Sequence, residues 1–397
     1  MAPVVLGGGR RALVAAMVVA ALSMGMVMGQ QDEDDVLLGA GGGVYQPRDP
    51  CPQVEDIVKA AVKAEFKNNK DITGGFLRAF FHDCFSGGCD ASIFLDKEWR
   101  RFPVQERVRQ FVNEIRGKVN EQCGNQSVSC ADILALGTRD AVVEAGGPTV
   151  RIFRGRFDSK TDNDVSKIPF PGDAIADLLK TFAGFGLTDP ADLVALSGAH
   201  TVGKTRNACG FANPKFRGNC MSTGSQDLDV LTPVSFDNQY YVGLTQNPSL
   251  GMFSTDRDLF SDANPTTKKL VQLYAKDQNA FFKQWDVSFR KLSHVNWTSA
   301  AIGEIRRDCT KPVVSCADIL VVLAGGPEYS VPLGRQDSLR PASSDQIGIL
   351  PGPATPVDQL LGIFGGRGLG DPADLVALSG GHTVGRASCG FISSGGA

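Results

Sequence analysis

The chain has 397 residues, 42% hydrophobic and 21% charged, which is ordinary for a globular protein and excludes a disordered chain, a polytopic membrane protein and a fibrous repeat. At roughly 150 residues per domain, two or three domains are allowed. Forty basic residues against 43 acidic ones leave a net charge of −3, which disfavours nucleic acid as a partner, since backbone-driven binders are strongly basic.

Arg10 and Arg11 precede an uncharged run over 12–29 that ends in small residues around Gly29. A basic start, an apolar stretch and a small-residue cleavage point read as a secretory signal peptide over 1–29. The apolar run is marginal for spanning a bilayer, and no other segment is long and apolar enough, so no membrane association is expected once the signal is removed. Residues 30–44 carry the acidic Asp32-Glu33-Asp34-Asp35 and a Gly-rich stretch over 39–44, expected as a flexible segment before the folded part. A secreted, extracellular destination makes the ten cysteines disulfide candidates. It also makes Asn125-Gln126-Ser127 and Asn296-Trp297-Thr298 glycosylation candidates.

Val54, Ile57, Val58, Ala61, Val62 and Phe66 follow a helical period. Further helices are expected over 72–85, 104–121, 131–145, 236–245 and 268–292. Asp189-Pro190 reads as a helix start, with a side-chain cap followed by a proline where no amide donor is lost; that helix ends near Ser197-Gly198. Long strand-like alternation is absent, so the fold is expected to be mainly α with Gly/Pro-rich connections.

Only four histidines are present, His82, His200, His294 and His382. Arg78 and His82 are four apart and share a helix face. An imidazole beside a guanidinium resists protonation, so it can serve as a general base near neutral pH, while the cation stabilises charge developing on a bound oxygen. Asp83, Asp90 and Ser92, with carbonyls of a Gly-rich turn, are oxygen ligands of the kind Ca²⁺ takes. A zinc site on His82, Cys84 and Cys89 lacks a fourth ligand. His200 follows the Asp189 helix, a suitable position for a neutral iron ligand whose other nitrogen donates to a carboxylate. Thr201, Asp229, Thr232, Ser235 and Asp237 could form a second oxygen cage, although such clusters are commonly turns. His294 reads as structural or surface-lying.

Part of the chain repeats. Val128-Ser-Cys-Ala-Asp-Ile-Leu134 recurs from Val314, and Asp189-Pro-Ala-Asp-Leu-Val-Ala-Leu-Ser-Gly198 recurs from Asp371. This is one partial duplication, not a solenoid, which needs at least three stacked units.

Together, the block from Arg78 to Asp96, Val128-Ser-Cys-Ala-Asp, Gly155-Arg156 with Asp158-Ser159, the block around His200, and Phe236-Asp-Asn-Gln-Tyr-Tyr241 closely resemble the secretory plant haem peroxidases of class III. The resemblance covers about 45–309 and implies the plant-type haem peroxidase fold, two helical halves around a cleft holding one haem b, with a Ca²⁺ site on each side. His82 then matches the distal acid–base residue, Arg78 the distal cation and Phe81 the aromatic that screens the iron. His200 matches the proximal iron ligand and Asp256 the carboxylate on its far nitrogen. Distal Ca²⁺ ligands map to Asp83, Ser86, Gly88, Asp90 and Ser92, proximal ones to Thr201, Asp229, Thr232, Ser235 and Asp237. Pro169 matches the proline at the edge where small aromatic donors dock. The implied disulfides are Cys51–Cys123, Cys84–Cys89, Cys130–Cys309 and Cys209–Cys220, and Asp132 and Arg156 match a buried ion pair. The implied enzyme is a secreted monomer that reduces H₂O₂ to water while oxidising small phenolic donors one electron at a time.

The sequence departs from that pattern between Asp96 and Phe102, where only Lys97-Glu98-Trp99-Arg100-Arg101 stand. The family's longer stretch carries an Asn that bonds the distal His and an acidic residue near the distal Ca²⁺. Its shortening predicts a slower reaction with H₂O₂ and weaker distal Ca²⁺ binding. Residues 310–397 read as a truncated partial copy of the proximal part, with His382 but no Arg/His distal pair, hence with no haem of its own. A second reading is a catalytically impaired, peroxidase-like secreted glycoprotein with a binding or structural role; the intact Arg78, His82, His200 and Asp256 favour the enzyme.

Overall fold

Apolar residues three and four positions apart give α1 (Val54–Asn68) one buried face, formed by Val54, Ile57, Val58, Ala61, Val62 and Phe66. The computed structural model describes residues 50–101, 105–125, 127–205, 209–261, 263–296, 303–312, 343, 350–352 and 355–379. The expected signal peptide, residues 30–44, Cys316, His382, Cys389 and parts of both glycosylation motifs lie outside them.

After α1 come α2 (Ile72–Ser86), α3 (Asp96–Arg101), α4 (Glu106–Cys123) and α5 (Cys130–Glu144). The Ser129 hydroxyl caps α5 by accepting from the Asp132 amide. The α5 helix is buried almost all round, and α1, α2 and α4 pack against it. Next come α6 (Ile175–Gly184) and α7 (Pro190–Ser197), the latter capped by Asp189 with Pro190 in its first turn. They are followed by α8 (Pro214–Thr223), α9 (Gln239–Gln246), α10 (Ser254–Asp258), α11 (Pro265–Lys276) and α12 (Gln278–Ser293). Among the described residues there is no strand, only isolated bridges at Asp158–Glu304 and Lys204–Asp227. None of these helices is long and apolar enough to cross a membrane.

Two details differ from the sequence reading. The single helix expected over 268–292 is two, because Asp277 is extended and its side chain accepts from the amides of Asn279 and Ala280. A new helix thus starts where the old one stops. The helix expected over 236–245 begins only at Gln239, after Phe236 has packed against Phe281 and Trp285.

Four disulfides close, Cys51–Cys123, Cys84–Cys89, Cys130–Cys309 and Cys209–Cys220. Beside the third, fully buried Asp158 accepts from the amides of Cys130, Ala131 and Arg306. Arg156 and Asp132 form a buried ion pair at 2.8 Å.

The chain divides into two compact units, Met1–Val313 and Val314–Ala397. Described in the second are α13 (Val357–Gly365) and α14 (Pro372–Ser379). The octapeptide of α14 is identical to that of α7, yet six of eight residues are buried in α7 and only Leu375 in α14.

Within the first unit, α2 meets the turn after His200 backbone to backbone. A Cβ added at Gly74 would lie 2.5 Å from the Gly203 Cα, and Gly203 itself has φ +97°. This close approach sets how far apart the residues of α2 and those around His200 stand. Gly74→Ala is expected to cost about 2 kcal/mol of stability, since neither backbone can yield without moving its helix. Urea unfolding checks this, and an unshifted midpoint contradicts it.

Candidate functional site: a cavity between two histidines

A cavity of about 900 Å³ lies between α2 and the segments that follow α7. Arg78, Phe81 and His82 line it from α2; Pro169, Phe170 and Pro171 line its rim; His200, Phe253 and Asp256 line it from the opposite wall. Residues 118 positions apart in sequence (82 and 200) therefore share one chamber.

On the α2 side, the helical spacing delivers the Arg78 Nε to 3.4 Å from the His82 Nε2. Burial, with the Arg78 charge adding to it, holds the His82 imidazole well below its usual pKa. A neutral ring whose Nε2 accepts from Arg78 has its lone pair available on that nitrogen. Burial also lowers the Arg78 pKa, though not enough to take a guanidinium out of its charged form.

On the other wall, His200 lies in the turn after α7, and its Nδ1 is 2.8 Å from the Asp256 Oδ1. Asp256 stands in α10 and is almost fully buried. Its carboxylate also accepts from the Tyr240 hydroxyl at 2.9 Å and from the Phe253 amide at 2.8 Å. Burial alone would raise the Asp256 pKa; its interaction with the His200 ring and the hydrogen bonds from the Phe253 amide and the Tyr240 hydroxyl outweigh it and keep the carboxylate ionised. A carboxylate on Nδ1 fixes the tautomer and leaves Nε2 as the lone-pair nitrogen of a ring that lines the cavity.

Asp83 directly follows His82 and begins an oxygen cluster. Asp83, Ser86, Asp90 and Ser92 are buried. Asp83 accepts from the amides of Ala91 and Ile93, and Asp90 from that of Ser92. Gly88 lies against the Asn296 carbonyl, with no room for a side chain. Burial, and then the charge of Asp90, push the Asp83 pKa well above the carboxylate range. The shortened segment still supplies an acidic residue to this cluster. Glu98, on α3, is fully buried, is raised in pKa by burial and by Asp90, and accepts from the Asn163 amide N–H at 2.8 Å. The Asn163 side chain bonds Asp90 and Ser92.

The second cluster also assembles. The Thr201 hydroxyl reaches Asp229, Asp237 and the Ser235 carbonyl at 3.2–3.4 Å, and the Thr232 hydroxyl reaches Asp229 and Asp237 at 3.3 and 3.0 Å. Among the described residues, no three His, Cys, Asp or Glu side chains converge as a ready metal site. Both clusters mix carboxylates with hydroxyls and carbonyls, a hard-oxygen set suited to Ca²⁺.

Sequence reasoning missed Glu98, Asn163, Tyr240, Phe253 and the aromatic rim. Exposed Phe170 and Phe211 meet edge to face, with ring centroids 4.7 Å apart, beside Pro169. Phe170 directly follows Pro169, Tyr240 stands in the Phe236–Tyr241 block and Glu98 in the Lys97–Arg101 stretch, none of them given a role there; nothing local signalled Asn163, Phe253 or Phe211. His294 lies away from the cavity, its Nδ1 2.8 Å from the Arg290 carbonyl.

Comparison with known proteins matches residues 58–277 and 283–395 to a family model described as Peroxidase. The chain is 37% identical over 292 residues to cationic peroxidase SPC4 of Sorghum bicolor, covering 66% of this chain and 79% of that protein. It is 36% identical over 312 residues to peroxidase 72 of Arabidopsis thaliana, covering 69% and 90%. To peroxidase 49 of the same plant it is 35% identical over 295 residues, covering 66% and 88%.

The Asp256 carboxylate serves three donors at once. Asp256→Ala is expected to cost about 3 kcal/mol, the desolvation penalty of leaving those donors without an acceptor. Denaturant unfolding measures it; a loss well under 1 kcal/mol contradicts the arrangement.

Proposed function

The chain belongs to the peroxidase family, and from that premise we propose how its own residues reduce H₂O₂ and which donors it serves. The protein is a haem peroxidase; the residue roles, the donors and the ion stoichiometry are our reading. One observation carries it: a neutral His82 beside Arg78 faces the same chamber as His200, whose Nδ1 is committed to a buried carboxylate.

The cavity fits one haem b. Its walls carry aromatic and aliphatic side chains, among them Phe81, Phe182, Leu196 and Phe253, and His200, with a single lone-pair nitrogen, would hold the iron. When bound, the haem supplies the redox chemistry that splits the peroxide O–O bond and accepts single electrons from donors. His82 Nε2 takes the proton from one peroxide oxygen and returns it to the other, which leaves as water. Arg78 stabilises the charge that builds on the departing oxygen. Phe81 screens the reacting side from bulk solvent. Per turnover, one H₂O₂ and two donor hydrogens yield two waters and two donor radicals.

Small phenols are the donors this rim suits. Pro169, with the exposed Phe170 and Phe211 rings, offers an apolar edge-to-face surface on which an aromatic ring stacks. The two oxygen clusters hold one Ca²⁺ each, with Asp83, Ser86, Gly88, Asp90 and Ser92 on one side and Thr201, Asp229, Thr232, Ser235 and Asp237 on the other. Glu98 adds charge to the first. The four disulfides and the signal-like N-terminus support secretion. The peroxidase domain spans 45–309; residues 310–397 are a partial repeat of its proximal part.

Two outcomes test these roles. His82→Ala should retain the haem spectrum while losing about 10²–10⁴-fold in its rate with H₂O₂; a rate within tenfold of the parent in stopped-flow removes His82 from the proton transfer. For the ions, chelator-treated protein should melt about 5 °C lower than calcium-loaded protein. Glu98→Gln should narrow that gap by relieving carboxylate repulsion in the stripped state. Equal melting curves with and without calcium contradict both sites.

A further inference from the structure

The Asp256 carboxylate is shared in a way that the His200 role alone does not require. Its Oδ1 accepts from two donors, the His200 Nδ1–H at 2.8 Å and the Tyr240 hydroxyl at 2.9 Å, while Oδ2 accepts from the Phe253 amide at 2.8 Å. Tyr240 and Asp256 are both buried, at 5% and 1% exposure, so water does not dilute the competition between the two Oδ1 donors. The Tyr240 ring stands edge-on to the His200 ring, with centroids 6.2 Å apart. Tyr240 is not among the residues that line the cavity, and its hydroxyl is given to Asp256, so it reaches the His200 lone pair through the carboxylate.

We propose that Tyr240 is a positioning residue that limits the electron-donating strength of His200 by drawing on the negative charge of Asp256. This rests on the reading of His200 as the iron ligand. Charge-assisted hydrogen bonds polarise their acceptor, and two donors on one carboxylate oxygen each receive less than one alone would. With the phenol in place, Asp256 pulls less strongly on the His200 Nδ1 proton, and the imidazole keeps less imidazolate character. A less basic ligand stabilises the higher oxidation state of iron less. The fold thus sets the ligand at an intermediate strength, between a bare carboxylate partner and a neutral one. Tyr240 lies in the first turn of α9, whose register is fixed by the Asp237 carboxylate accepting from the Gln239 amide. The phenol is therefore delivered by the same segment that closes the second oxygen cluster.

The test uses the purified haem-loaded protein and Tyr240→Phe, which removes only the hydroxyl. The Fe(III)/Fe(II) midpoint potential should shift negative, and the iron–histidine stretching band of the reduced protein, read by resonance Raman, should shift to higher frequency. Asp256→Asn should move both readouts the opposite way. In the Asp256→Asn background the added Tyr240→Phe change should have a much smaller effect, since the charge it acts through is gone. A Tyr240→Phe protein with haem bound and both readouts unmoved overturns the proposal, because a purely structural hydroxyl would leave them there. If Tyr240→Phe does not take up haem, a fluorinated tyrosine placed at 240 replaces it. The more acidic phenol should shift both readouts opposite to the Phe prediction, and no shift overturns the proposal. Failure of the parent protein to bind haem would instead sink the His200 reading itself.

Discussion

One hydrogen bond, from His200 Nδ1 to the buried carboxylate of Asp256, gives the site its polarity. A histidine on its own can present either nitrogen, protonated or not, to a cavity. A buried anion on Nδ1 removes that freedom and leaves one defined lone pair on the other nitrogen. Burying the anion is costly unless it is well supplied with donors, and the structure provides three from three separate segments. Opposite stands a histidine of contrasting character. His82 is buried beside a cation, and both circumstances disfavour its charged form, so it is a weak base held in the neutral state. Two imidazoles in one chamber are thereby pushed to different tasks by their neighbours, not by any difference in chemistry.

The remaining structure keeps these two groups in place. Asp83 is the residue after His82 on α2, so whatever holds the first oxygen cluster also holds the imidazole. Thr201 is the residue after His200 and takes part in the second cluster in the same way. The Gly74–Gly203 contact joins the two walls where side chains would force them apart. Each disulfide ties a segment of this frame, with Cys84–Cys89 closing the turn that carries the first cluster.

Much of this was legible in the sequence, and the rest fails to be legible for physical reasons. The buried face of α1 follows from its period, and the start of α7 from Asp189 and Pro190, because helix periodicity and capping are local. Arg78 and His82 could be paired for the same reason, four residues being one turn. The break at Asp277 was also local: an Asp followed by Gln-Asn is a cap signal, but the apolar pattern on both sides masked it. Glu98 and Asn163 were not legible, since they are 65 positions apart and meet only once α3 has docked. The carboxylate partner of His200 came from family resemblance; spacing could not choose it among the acidic residues. Pro190–Ser197 and Pro372–Ser379 make the limit plain. They are one octapeptide in two helices, buried in the first by α12 and Tyr241 and largely exposed in the second. Helix formation is written in those eight residues; burial is written in whatever packs on them.

The central claim is that His200 and His82 face a single bound porphyrin from its two sides. Haem titration of the purified, disulfide-bonded protein, beside its His200→Ala variant, tests this most directly. The account predicts stoichiometric uptake with a Soret band that shifts on adding H₂O₂, and loss of the histidine-ligated spectrum in the variant. A parent protein that yields no saturable Soret band, or a variant whose spectrum matches that of the parent, would contradict it.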